Sequence, residues 1–147
     1  MLLGHAITEV EYPMNRDDTP AIRAHKASIA NAQAGNKQAW LDLFADDATV
    51  HDPVGASPHD PSGEGFTGKA RLEEFWDTMI ATGDLIIVSH RRIASGESHC
   101  ACAVTATNKI GEIKTHIEMI VTYEVDAAGK LTRLSAYWDL EALTDQL

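Results

Sequence analysis

Asp52, in the run His51-Asp52-Pro53-Val54-Gly55, is the side chain of this sequence best suited to proton transfer. Residues 48–52 predict a short strand, which Pro53 stops. A carboxylate at the edge of an apolar cavity loses solvation, which raises its pKa and lets one group both take and return a proton. An aspartate before proline is also a common turn residue, so the residues alone leave a purely structural role open.

The other potentially reactive side chains form no recognisable motif. The histidines are scattered along the chain, and His51 points to the opposite strand face from Asp52. Cys100 and Cys102 alternate along a predicted strand, so they share a face but cannot easily bridge each other. We therefore predict two buried free thiols, no metal site and no cofactor.

The elements that must position Asp52 begin with a long helix. The run Thr19-Pro20 predicts its N-terminus and Gly35 its end. Most side chains on its apolar stripe are small, which leaves space beneath the helix. Two shorter helices are predicted at 40–44 and 69–81. Between them lies a long loop at 53–68, rich in proline and glycine, of the kind that often forms a functional rim.

Strand patterns dominate the second half of the chain. Predicted strands follow at 85–94, 99–107, 114–125 and 131–138. Helices segregated from such an antiparallel meander indicate an α+β fold. We predict a cone-shaped curved antiparallel sheet wrapped around the long N-terminal helix, with two further short helices. The chain is predicted to be a single domain over 1–147, with residues 1–17 as an N-terminal extension.

Composition excludes several classes of partner. The 147 residues carry 12 basic and 22 acidic side chains, a net charge of −10, which disfavours binding to nucleic acid or to anionic membrane surfaces. The sequence contains no apolar run of the roughly 18 residues needed to cross a membrane, and its start does not resemble a signal peptide. We expect a cytoplasmic protein that binds a small molecule.

Several runs resemble the ketosteroid isomerase-like branch of the nuclear transport factor 2-like superfamily, also called cystatin-like or SnoaL-like. The resemblance extends over approximately residues 20–140. It is carried by Leu43-Phe44-Ala45-Asp46-Asp47-Ala48-Thr49-Val50, by Asp52-Pro53-Val54-Gly55, by Gly68 with Phe75, and by Asp126-Ala127-Ala128-Gly129-Lys130. It implies a homodimer that binds a flat apolar ketone, with a steroid 3-ketone as the first choice, and moves a proton between its carbons through Asp52.

The same resemblance exposes two departures. In the family, a tyrosine on the first helix and a protonated aspartic acid on a late strand donate hydrogen bonds to the developing oxyanion. Here the first position holds Ser28 and the second holds Val121. Each such donor is typically worth a few kcal/mol of transition-state stabilisation, so substitutes are needed. The candidates are Ser28 itself, His25 one turn earlier, and the indole N–H of Trp138.

Alternative functions follow from these departures. The predicted pocket wall comprises Phe75, Trp76, Met119, Val121 and Trp138. Such a pocket without its oxyanion donors also suits a non-catalytic module that binds a steroid-like or polyketide-like ligand. A polyketide cyclase-like enzyme that uses Asp52 as its acid–base group is the third possibility.

Overall fold

The computed structural model describes residues 16–147 and contains a curved six-stranded sheet with four helices. Of the predicted extension 1–17, all but the last two residues lie outside the described part. The elements are α1 Pro20–Ala34, α2 Lys37–Leu41, β1 Phe44–His51, β2 Phe66–Thr67, α3 Lys69–Phe75, β3 Asp84–Ser95, β4 His99–Ile110, β5 Ile113–Val125, β6 Leu131–Tyr137 and α4 Leu140–Thr144. A π-helical turn, Trp76–Ile80, continues α3.

The sheet confirms the predicted α+β cone. Its strand order is β2-β1-β6-β5-β4-β3, and every neighbouring pair is antiparallel except β1 with β6. The long antiparallel strands β3, β4 and β5 come from the predicted meander. Helix α1 packs across these three strands, so the concave face of the sheet is closed by the helix.

The predicted ends of α1 are confirmed. The Thr19 side chain accepts a hydrogen bond from the backbone N–H of Ile22, and Pro20 opens the helix. Gly35 ends it in the left-handed conformation with φ 72°, which a residue with a side chain adopts only at a cost. The buried face is made largely of alanines, together with His25 and Ser28, so the helix lies close to the sheet without filling all the space between them.

The second predicted helix was placed too late in the chain. Helix α2 is Lys37–Leu41, whereas Phe44 begins β1 and pairs with Leu131 of the last strand. The pairing is irregular between Phe44 and Thr49. The acidic pair Asp46 and Asp47, which lies between Phe44 and Thr49, is exposed within this strand segment. Tertiary pairing with β6 therefore overrides the helical spacing of the apolar residues around Leu43.

The remaining differences concern short segments. The predicted loop 53–68 includes β2, which pairs with β1, and the buried Asp60 accepts a hydrogen bond of 2.9 Å from the N–H of Gly65. Helix α4 was not predicted. Both thiols, Cys100 and Cys102, are buried and free, as predicted. No helix within residues 16–147 is long and apolar enough to span a membrane.

Candidate functional site

A cavity of about 190 Å³ lies between α1 and the concave face of the sheet, and most of its wall is apolar. The helical side contributes Ser28, Ile29 and Ala32 of α1, with Trp40 of α2 and Phe75 of α3 beside them. The small side chains of Ser28 and Ala32 make the cavity possible, because longer side chains at these positions would occupy it.

Strand β5 shows how the sheet supplies the opposite wall. Alternate residues of a strand point to the same face, and the odd-numbered residues of β5 from Thr115 to Tyr123 all line the cavity. Among the residues between them, Glu118 and Ile120 are exposed on the outer face. Val121 and Met119, both predicted in the pocket wall, lie in this row.

Asp52 lies on the cavity wall, immediately after the end of β1. The parallel pairing of β1 with β6 sets His51 opposite Ser135, which brings Asp52 level with Ala136. The backbone N–H of Val54 then donates to the carbonyl of Ala136 at 2.8 Å and fixes the turn that follows. Backbone hydrogen bonds on both sides therefore hold the carboxylate at the cavity.

The environment of Asp52 favours its protonated form. Burial raises the pKa of Asp52 from its ordinary value to about 6, and this desolvation outweighs the opposing effect of a hydrogen bond from Trp138. In that bond the indole Nε1–H donates to Oδ1 at 2.5 Å. A carboxyl group with a pKa near 6 is mostly ionised at pH 7 and is a stronger base than an exposed aspartate.

The predicted substitute donors are placed differently from one another. Ser28 is buried on the cavity wall, and its Oγ accepts a hydrogen bond of 3.2 Å from Trp40 Nε1, which leaves its own O–H free to donate. The indole N–H of Trp138 is directed at Asp52 and is not available to a ligand oxygen in this arrangement.

His25 lies behind the cavity wall and is fully buried. Its Nε2 is 2.9 Å from the hydroxyl of Ser89, and its Nδ1 has no hydrogen-bond partner among the described residues. Burial lowers the pKa of His25 to about 4, with smaller contributions from the positive charges of Arg92 and Lys26. The imidazole is therefore neutral at physiological pH.

The predicted aromatic wall is present in part. Phe75 and Trp138 line the cavity, but Trp76 does not. Trp76 is buried behind the wall, with its ring 5.5 Å from that of Trp40. The turn that begins at Trp76 is π-helical, so the spacing of side chains changes there, and Met79 rather than Trp76 reaches the cavity.

The structure also adds polar residues that the sequence did not single out. Tyr123 lines the cavity two positions beyond Val121, and Asn108 and Thr115 line it near the β4–β5 turn. The parity of β5 was the available signal, since Val121 and Tyr123 must share a face. Within residues 16–147, no group of three or more potential metal ligands is close enough to hold an ion.

Comparison with known proteins gives related sequences and structures. The SnoaL-like domain family matches residues 25–134. A steroid Δ-isomerase from Nocardioides simplex is 29% identical over 118 residues, which cover 80% of this chain and 89% of that protein.

Two mycobacterial crystal structures are similar over most of their length. Rv0760c from Mycobacterium tuberculosis is 31% identical, with a TM-score of 0.82, over 85% of this chain and 95% of that one. That protein has also been solved in complex with estradiol-17β-hemisuccinate. The Δ5-3-ketosteroid isomerase from Mycobacterium sp. is 31% identical, with a TM-score of 0.81, over 85% of this chain and 97% of that one.

Proposed function

The chain belongs to the SnoaL-like domain family, and from that premise we propose that it is a steroid Δ-isomerase-like protein. It binds a flat, apolar, ketone-bearing ligand in the cavity and shifts a proton of that ligand through Asp52. The observation that carries this proposal is the Asp52 carboxyl on an apolar cavity wall, with a pKa raised to about 6. The names of the related proteins make a Δ5-3-ketosteroid the first substrate to test.

The proposed reaction is a proton transfer within one molecule. The Asp52 carboxylate removes a proton from the carbon between the ketone and the isolated double bond. The electron pair of that C–H bond moves into a dienolate, whose negative charge rests largely on the ketone oxygen. The protonated Asp52 then returns the proton to the far end of the dienolate, which gives the conjugated ketone. The carboxylate is regenerated and no other reactant is consumed.

The cavity supports this chemistry in two ways. Its apolar wall excludes water from the dienolate and suits the flat hydrocarbon skeleton of the ligand. The Trp138 hydrogen bond fixes the orientation of the Asp52 carboxylate, leaving the second oxygen, Oδ2, to meet the ligand. The raised pKa of Asp52 keeps the carboxyl near the basicity that a reversible proton shuttle needs at neutral pH.

Turnover of a Δ5-3-ketosteroid, followed by the ultraviolet absorbance of the conjugated product, tests the proposal. We expect the wild-type protein to isomerise the steroid and Asp52→Asn to lose this activity. Asp47→Asn is the matched control, because Asp47 is an exposed aspartate of the same strand segment. Loss of activity in both variants, or in neither, would contradict the assignment of Asp52 as the base.

A non-catalytic binding module is the second candidate, favoured by Ser28 and Val121 at the two donor positions that the family resemblance defines. Trp40 and Trp138 line the cavity, so tryptophan emission on titration with a steroid measures binding directly. Saturable quenching without isomerisation would identify the binding module. If no steroid binds, a polyketide cyclase-like enzyme that uses Asp52 as its acid–base group becomes the leading alternative.

The proposed assembly is a homodimer, as the family resemblance implies. The outer face of the sheet carries exposed apolar side chains, among them Ile86, Val88 and Ile120, which are 59%, 46% and 49% exposed. Several exposed large apolar side chains on one face of a sheet are typical of a protein interface. Light scattering should give twice the chain mass for the wild type and the chain mass for Ile120→Glu, and a monomeric wild type would refute the dimer.

A further inference from the structure

Tyr123 is a polar residue of the cavity that takes no part in the proton transfer through Asp52. Its side chain is 3% exposed and lines the cavity. The hydrogen bonds around it within residues 16–147 join His25 to Ser89, Trp40 to Ser28 and Trp138 to Asp52, and none of them involves the Tyr123 hydroxyl. A buried phenol usually has a hydrogen-bond partner, so a phenol on a cavity wall without one is a candidate to bind a ligand oxygen.

The fold places this phenol beside the position of the missing helix tyrosine. The ring of Tyr123 contacts His25 edge to face, with 4.9 Å between ring centroids and an angle of 65° between the planes. Ser28 lies one helical turn beyond His25 on the same buried face of α1 and lines the same cavity. The small side chain of Ser28 leaves space in the cavity that the phenol can approach.

The backbone of Tyr123 is held from both sides. It pairs with Cys100 of β4 and with Leu134 of β6 in the middle of the sheet. Val121, at the position where the family resemblance expects a protonated acid, is the preceding residue on the same strand face. Tyr123 is therefore one side-chain position away from one missing donor and contacts α1 one helical turn from the other.

We propose that the Tyr123 hydroxyl is the oxyanion donor of this site, and that it hydrogen-bonds the ligand's ketone oxygen as that oxygen becomes the dienolate oxygen. The proposal rests on the proposed function, since it assumes that a ketone binds beside Asp52. The Tyr123 phenol keeps its proton and donates a hydrogen bond throughout the reaction. Asp52 alone takes the proton from carbon and returns it. The proposal therefore limits the ligands to flat molecules that carry an oxygen atom at the end lying beside Ser28.

The electrostatics of the phenol suit this role. Burial raises the pKa of Tyr123 well above its ordinary value, and the negative charge of Asp52 adds to the shift. The phenol therefore stays protonated at neutral pH and remains a donor. The two indole N–H groups on the cavity wall are already used, because Trp40 donates to Ser28 and Trp138 donates to Asp52.

The kinetic test compares Tyr123→Phe with Tyr137→Phe. Tyr137 is the only other tyrosine of the described residues, and it is 54% exposed on the outer face. Removing one oxyanion donor typically costs about 10²- to 10³-fold in kcat. We expect a loss of that size in Tyr123→Phe, with KM changed by less than about threefold, and unchanged kinetics in Tyr137→Phe. A loss confined to KM, or a kcat within about threefold of wild type, would overturn the proposal.

A binding test separates this proposal from the proposed function. Estradiol carries a phenolic oxygen on the ring where a steroid ketone would lie, and its 3-deoxy analogue lacks that oxygen. We expect wild type to bind estradiol about tenfold more tightly than the 3-deoxy compound, as judged by tryptophan quenching, since a well-placed buried hydrogen bond is worth about that factor. In Tyr123→Phe, whose fold is checked by thermal unfolding, this preference should vanish while the deoxy compound binds as before.

The two tests fail in different ways. A preference for estradiol that persists in Tyr123→Phe, or that is absent from wild type, overturns the role of Tyr123 whatever the protein catalyses. A preference that depends on Tyr123 in a protein without isomerase activity retains the donor and rejects the catalytic function.

Discussion

Two groups of cavity residues, here called the base wall and the donor wall, are held in place in different ways. On the base wall, Asp52 and Trp138 come from the ends of β1 and β6, and they are joined by a hydrogen bond of 2.5 Å. On the donor wall, Ser28 comes from α1 and Tyr123 from β5, and no hydrogen bond joins them. The proposed base is oriented by a hydrogen-bonded neighbour, whereas the proposed donor is oriented by packing against His25.

Electrostatics separate the two walls further. Burial raises the pKa of Asp52 to about 6, whereas burial lowers the pKa of His25, behind the donor wall, to about 4. Desolvation shifts the two pKa values in opposite directions because it disfavours the charged form of each group. That form is an anion for Asp52 and a cation for His25. Near neutral pH Asp52 is therefore ionised, as a base must be, while His25 beside the proposed donor is neutral.

The largest expected effects are losses of kcat, which differ between variants of the base wall and of the donor wall. General bases contribute about 10²- to 10⁴-fold, so we expect Asp52→Asn to lower kcat for a Δ5-3-ketosteroid about 10³-fold. Tyr123→Phe should lose less, because Ser28 can still donate its own hydroxyl proton. The measurement is steady-state absorbance of the conjugated product for both variants, with Asp47→Asn and Tyr137→Phe as controls. A greater loss in Tyr123→Phe than in Asp52→Asn would reverse this ranking.

The base wall could be predicted from sequence to a much greater extent than the donor wall. Asp52 lies in a contiguous run, Asp52-Pro53-Val54-Gly55, which carries the family resemblance and follows a short predicted strand. The fold class was likewise readable from the helix ends at Thr19 and Gly35 and from the long strands. These features depend on neighbours in sequence.

The donor wall depends on partners far apart in the chain. Tyr123 contacts His25, 98 positions earlier, and no local pattern encodes that contact. Trp76 was predicted on the cavity wall, but residue types do not reveal the π-helical turn that starts there. The start of β1 at Phe44 was missed for the same reason, since its pairing with Leu131 is a tertiary interaction.

The second expected effect is on stability. Asp52 has a folded-state pKa of about 6, above its ordinary value of 3.8, so the folded state binds its proton more tightly. The stability it contributes is full below about pH 4 and is lost as the pH rises through 6. Asp52→Asn should therefore raise the free energy of unfolding at pH 7 by about 1–3 kcal/mol, because it removes a buried ionised carboxylate that destabilises the folded state.

Urea unfolding of wild type and Asp52→Asn at pH 7 and at pH 4.5 measures this difference. The gain in Asp52→Asn should shrink at the lower pH, where the wild-type carboxyl is protonated. His25 acts in the opposite sense in both proteins, because its lowered pKa makes the folded state lose stability as the pH falls from 6.5 towards 4. The comparison at each pH cancels that contribution. A variant less stable than wild type at pH 7 would contradict the prediction.

The third effect is the pH dependence of turnover. Since Asp52 must be ionised to act as a base, kcat/KM should rise with pH, with a midpoint near 6, and should fall about tenfold from pH 7 to pH 5. His25, with a pKa of about 4, should not contribute to this limb. The measurement is kcat/KM in buffers of constant ionic strength. A midpoint near 4 would show that the carboxyl is as well solvated as an ordinary aspartate.

The smallest expected effect tests the bond that distinguishes the base wall. The hydrogen bond from Trp138 lowers the pKa of Asp52 against the larger effect of burial, so removing the N–H should raise that pKa further. In Trp138→Phe the midpoint of the pH profile of kcat/KM should therefore move above 6, by less than the shift that burial itself produces. The ring that covers the carboxyl is kept, and any change in KM reports separately on the wall shape. Tyr137→Phe, in which the indole bond is intact, should keep the wild-type midpoint. A midpoint that stays in place or moves down in Trp138→Phe would mean that the indole acts on Asp52 through burial alone, and the contrast between a bonded base and a packed donor would disappear.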